Sequence, residues 1–106
     1  MKAPTLQGYD GPSSLRFDDC PPPRPGPRDV VIAVRAASVN PVDARITRGY
    51  LRGRVDFALP HVLGRDCSGV IAETGAEVTA FRHGDEVFAV ADQKRWGTHA
   101  ELVAID

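Results

Sequence analysis

VLGRDCSGVI, Val62 to Ile71, followed by HGDEVFAV, His83 to Val90, decides how this chain is read. Both are apolar, strand-like runs punctuated by glycine, and an Arg65–Asp66 pair stands at the mouth of the first. Cys67 to Glu73 reads as a strand, Thr74 to Glu77 as a turn and Val78 to Phe81 as a short extended piece. Gly84-Asp85 makes another turn, and Glu86 to Ala91 is again a strand. Upstream, DVVIAVRAAS, Asp29 to Ser38, is the strongest strand. Val31, Ala33 and Arg35 fall on one face; Val30, Ile32, Val34 and Ala36 fall on the other. One wholly apolar side and one mixed side suit the wall of a barrel. Asn40 to Gly49 breaks the β pattern and predicts one or two helical turns, with Pro41 near the start and Gly49 as the stop. Tyr50 to His61 has no period and reads as a loop, as does Asp92 to Gly97, and His99 to Ile105 is a final strand. Near the start, Leu15 to Asp19 alternates apolar and polar residues before PPPRPGP. Five prolines in the seven residues Pro21 to Pro27 cannot join a ladder and form a rigid extended connection. Short strands with Gly and Pro turns at regular spacing predict a small, mainly β barrel or sandwich.

At 106 residues the chain is one domain, 1–106. Thirteen basic and fourteen acidic side chains leave a net charge of −1, so no overall charge favours nucleic acid or an anionic membrane. Arg45, Arg48, Arg52 and Arg54 do cluster, and this local patch suits either phosphates or a solvated loop. Cys20 and Cys67 lie far apart and form no metal-type pair. The opening MKAPTLQGYD lacks the apolar run of a secretion signal, and no stretch reaches membrane-spanning length. Cytoplasmic residence with reduced thiols is the expectation.

Several motifs in order carry a resemblance. They are MKA, GYDGPSSLRF (Gly8 to Phe17), the proline turn, VNPVD (Val39 to Asp43), LGRDCSGVI, GDEV and GTHAELVAID. Together they resemble the N-terminal catalytic domain of the medium-chain dehydrogenase/reductases, of the zinc-independent quinone-oxidoreductase type. The resemblance implies a GroES-like, partly open β-barrel with one or two short helices. It also implies hydride transfer from NADPH to a quinone or an α,β-unsaturated carbonyl. Zinc-dependent relatives carry a cysteine where Asn40 stands and a histidine where Arg65 stands. A catalytic zinc needs three N, S or O ligands, and arginine supplies none. The loop Ala91 to Leu102 contains no cysteine for a structural zinc. No metal is therefore expected, and His61, His83 and His99 are scattered along the chain.

The resemblance places Asn40 beside the nicotinamide and ribose, where its amide can donate and accept. Asp43 either holds that cofactor loop, or caps the helix start or makes a structural hydrogen bond. Tyr50 is either a proton source or a contact to substrate or cofactor, or a packed aromatic with its hydroxyl at the surface. Arg65 is a candidate for stabilising charge that develops on an oxygen. Asp66 reads as a structural acid that fixes the loop. His99 stands where relatives often carry an aromatic and reads as a packed or exposed residue ahead of a catalytic one. Trp96 lines the cleft or covers the barrel end.

No glycine fingerprint of a nucleotide-binding Rossmann domain is present; Gly69-x5-Gly75 does not match it. The closing VAID stops mid-pattern, which reads as a chain that continues into such a domain. By itself, the domain should be inactive. The alternative is a stand-alone GroES-like binding module that pairs with a separate nucleotide-binding subunit. A domain cut from its second domain should expose the surface that domain would cover and self-associate, as a homodimer through Tyr50 to His61 or the terminal strand.

Overall fold

A computed structural model describes residues 1–54 and 56–106; Val55, within the expected loop Tyr50 to His61, lies outside the described residues. Strands β1 (Lys2–Leu6) and β2 (Leu15–Asp19) form an antiparallel hairpin running from Lys2↔Asp19 to Leu6↔Leu15. A short 3-10 turn, Pro12–Ser14, leads into β2. A two-residue strand, β4 (His61–Val62), pairs with the other edge of β1. The larger sheet holds β3 (Val30–Ala37), β5 (Asp66–Thr74), β6 (Glu86–Val90) and β7 (Leu102–Ile105). Its order is β6-β5-β3-β7, with every neighbouring pair antiparallel. The two sheets do not join into a closed barrel. The proline run is the irregular, extended link that carries the chain from β2 to β3.

The expected strands form, with instructive differences. Along β5, Cys67, Gly69 and Ile71 are buried in strict alternation, as a half-buried strand requires. Gly69 permits the close approach of β3: a Cβ there would collide with the Ala33 carbonyl. The clean two-faced alternation expected for β3 does not hold, because Val31 and Ile32 are both buried. The ladder shifts between Val31↔Glu73 and Ile32↔Ile71, and again between Val34 and Ala36. Such bulges rotate the side chains that follow them. The final strand begins at Leu102 and not at His99. Residues 97–99 instead hydrogen-bond back to Leu63 and Gly64. Val78 to Phe81 joins no ladder among the described residues. Strands β1 and β4 went unread because one contains Pro4 and the other has two residues.

One α-helix, α1 (Pro41–Thr47), follows β3. Pro41 sits at its first position, where the missing N–H costs nothing. Gly49 ends it at φ +79° and donates its N–H to the Ile46 carbonyl at 3.0 Å. The buried side of α1 presents Ile46 to Leu6, Leu63 and Trp96. A second cluster, Ile32, Cys67, Ile71 and Val103, fills the inner face of the larger sheet. Trp96 therefore belongs to the core, 4% exposed. Among the described residues no helix is long and apolar enough to cross a membrane.

Candidate functional site

The site forms where β3 ends, α1 starts and β5 begins. Asn40 and Asp43 occupy the two positions of a capping box at the head of α1. The Asp43 carboxylate accepts the Asn40 backbone N–H at 2.7 Å, and the Asp43 N–H donates to the Asn40 carbonyl at 2.9 Å. Asp43 is buried, and its other oxygen, Oδ1, is buried without a partner. Its carboxylate thus closes the capping box from the third position of α1.

The Asn40 side chain reaches across to β5. Its Nδ2 donates to Asp66 Oδ2 at 3.2 Å and to Ser38 Oγ at 3.4 Å. Asp66 is the hub of this cluster. It accepts the Ser38 N–H at 3.2 Å and a short bond from the Ser38 hydroxyl. The Ser38 hydroxyl, then the Asn40 amide and the Ser38 N–H, hold the Asp66 carboxyl below the usual range; burial opposes them, and nearby His99 adds to them. His99 closes the ring of contacts: its Nε2 lies 2.9 Å from the Ser38 carbonyl oxygen.

Gly64 makes that closure sterically feasible. A Cβ at Gly64 would overlap Thr98 Oγ1 and the His99 backbone nitrogen and would lie 2.6 Å from His99 Cδ2. Its φ of +105° is also one that L side chains rarely adopt. The segment is pinned by Gly97 and Thr98 N–H bonds to the Gly64 carbonyl, and by the His99 N–H bond to the Leu63 carbonyl.

The remaining expected site residues stand apart from this cluster. Arg65 precedes the hub; its side chain is exposed and makes no ion pair among the described residues. Its backbone carbonyl accepts the Ala91 N–H at 2.6 Å, which ties β5 to the end of β6. Tyr50 lies past the far end of α1, about 10 Å of helix away from Asn40. It is 70% exposed, with its N–H on the Arg45 carbonyl. The arginines Arg45, Arg48, Arg52 and Arg54 are all exposed, and the Arg52 guanidinium sits 4.8 Å above the centre of the Tyr9 ring. Sequence reasoning missed Ser38 altogether and took His99 for a packed or exposed residue. No local signal marks a serine at a strand end as a partner for a carboxylate 28 residues on.

Chemically the cluster has two amide or hydroxyl donors, one ionised carboxylate and one imidazole. At the positions where a zinc site is expected in related enzymes stand the Asn40 amide, already engaged with Asp66, and the Arg65 guanidinium. That donor set does not fit a catalytic zinc. It does fit a polar ligand such as a nicotinamide ribose, which hydrogen-bonds to amides and hydroxyls without needing a charged partner.

Comparison with known proteins identifies the family of the fold. Residues 26–105 match the family described as the alcohol dehydrogenase GroES-like domain. The chain is 36% identical over 110 residues to the mitochondrial NAD(P)H oxidoreductase RTN4IP1 of Dictyostelium discoideum, covering 100% of this chain and 31% of that protein. It is 34% identical over 113 residues to the chloroplastic NADPH-dependent alkenal/one oxidoreductase of Arabidopsis thaliana, covering 100% of this chain and 29% of that protein. The solved quinone oxidoreductase of Coxiella burnetii superposes with a TM-score of 0.88 at 31% identity, over 99% of this chain and 34% of that one. The chain thus spans about a third of the length of the relatives it matches.

Proposed function

This chain belongs to the alcohol dehydrogenase GroES-like domain family, and on that premise we propose that it is the catalytic domain of a zinc-independent, NADPH-dependent reductase of quinones or α,β-unsaturated carbonyls. The observation that carries the reading is the Asn40–Asp66 hydrogen bond, an amide locked to a carboxylate at the expected metal position. The names of the oxidoreductases it resembles set the reaction class.

The division of labour is part of the proposal. The cofactor, when bound, supplies hydride. This domain, residues 1–106, supplies one wall of the cleft, and a nucleotide-binding domain supplies the pyrophosphate cradle. Asn40 orients the nicotinamide end, Asp43 keeps the Asn40 loop on the head of α1, and Arg65 lends positive charge at the rim to an oxygen that becomes anionic. Tyr50, at the far end of α1, is assigned to the substrate entrance.

The test is NADPH oxidation by the complete gene product against a panel of quinones and enones, with metal analysis alongside. Turnover without stoichiometric metal is expected. Stoichiometric zinc overturns the reading of Asn40 and Arg65. The 106-residue chain by itself is expected to turn over negligibly and to bind NADPH very weakly; tight binding in a titration overturns the division of labour. Fractionation tests the expected cytoplasmic placement, since the names of the first two relatives carry mitochondrial and chloroplastic.

A further inference from the structure

We infer that His99 is the proton donor of this site, delivering its proton from Nδ1. The inference rests on the reductase reading above and goes beyond it by naming the acid. A backbone carbonyl can only accept, so the 2.9 Å contact with the Ser38 oxygen places a proton on His99 Nε2. The same edge of the ring is pressed against Gly64, where the space left by a missing Cβ is filled by His99 Cδ2. The opposite edge, with Nδ1, is left over. Nδ1 has no partner among the described residues and is not one of the buried polar atoms that lack one. An imidazolium held through Nε2–H by a carbonyl, with its Nδ1–H open, is the arrangement a proton donor needs. The Asp66 carboxylate at the head of β5 is near enough for its charge and that of His99 to act on each other. Asn40, the residue nearest the expected nicotinamide, bonds to that same carboxylate. Tyr50, the acid expected from the sequence, lies beyond the other end of α1.

Reduction of an enone needs a hydride and a proton from different sources. The hydride, with its electron pair, comes from a reduced nicotinamide and forms the new C–H bond at the β-carbon. The C=C electrons move toward the carbonyl, leaving an enolate. The Nδ1–H bond of the His99 imidazolium then breaks, its proton goes to the enolate, and the bonding electron pair stays on Nδ1. The ring is left neutral with Nε2–H still on the Ser38 carbonyl, and solvent restores the Nδ1 proton.

Two measurements test this. In the first, 15N NMR of the protein reads the tautomer of His99: neutral His99 should carry its proton on Nε2. A neutral ring protonated on Nδ1 overturns the proposal whatever the enzyme reduces. In the second, His99→Gln in the complete gene product keeps an N–H for the Ser38 carbonyl but removes the transferable proton. We expect kcat to fall about 100-fold with little change in KM, and added imidazole to rescue His99→Ala. A kcat for His99→Gln within about threefold of wild type overturns the proposal. If wild type itself reduces neither quinones nor enones, it is the functional reading that fails, and the NMR result still decides the tautomer.

Discussion

Asp29 shows what one well-placed residue does for this fold. It is buried at the entrance to β3, and both its oxygens are taken by the Arg95 guanidinium, at 2.7 and 2.8 Å. The Gly26 N–H adds a third bond at 2.8 Å. The Arg95 bonds first, then the Gly26 N–H, hold the carboxyl at about 2 against the opposing effect of burial. Because the folded value lies below the unfolded one, the contribution is complete above about pH 4 and is lost as pH falls toward about 2. Arg95 is partly exposed, and after screening the contribution is about 1 kcal/mol. Urea midpoints between pH 6 and pH 2 should show this loss, and Asp29→Asn should flatten it. An unchanged acid profile in the variant would show that the pair contributes nothing.

At the scale of elements, the site depends on glycine at one junction. Gly64 sits between β4 and β5 and lets the 97–99 segment lie against the backbone. Gly64→Ala should cost about 2 kcal/mol or more, from the positive φ and the collision with Thr98 and His99 together. Because the displaced residue is His99, the variant should lose the Nε2 contact with Ser38 as well as stability. A variant with wild-type urea midpoint and unshifted His99 resonances would falsify this account of the junction. Helix α1 shows a second coupling between elements. Its N-cap, Asn40, bonds to Asp43 in the first turn and to Asp66 on β5, so the head of the helix and the head of the strand are joined by hydrogen bonds.

Over the whole molecule, apolar surface is left open, at Tyr50 in the loop Tyr50 to His61 and on β6. Val103 and Ala104 of the terminal strand are buried, while on β6, an edge of the larger sheet, Phe88 is 90% and Val90 64% exposed. Beside them an apolar groove of about 530 Å³ is floored by Ile32, Ile71, Val78, Phe81 and Val87. An open edge strand carrying large apolar side chains favours pairing with a second copy. Light scattering should detect concentration-dependent dimers, weakened by Phe88→Ser. A strictly monomeric species at high concentration would argue against it.

The sequence by itself determined the class of the fold, the positions of β2, β3, β5, β6 and α1, and the family. The fold class and the elements follow from local rules: two-residue alternation, glycine and proline at turns, and Pro41 at a helix start; the family follows from the resemblance of its ordered motifs. It also singled out Asn40, Asp43 and Arg65 through the order of its motifs. Only the tertiary structure decided what those residues touch. The bulges in β3 come from pairing with β5, the strand at His61–Val62 exists because β1 offers an edge, and Trp96 is core because α1 covers it. The cluster of Ser38, Asn40, Asp66 and His99 joins residues up to 61 positions apart. A hydrogen bond over that separation depends on how two sheets and a helix meet, and no local pattern encodes it.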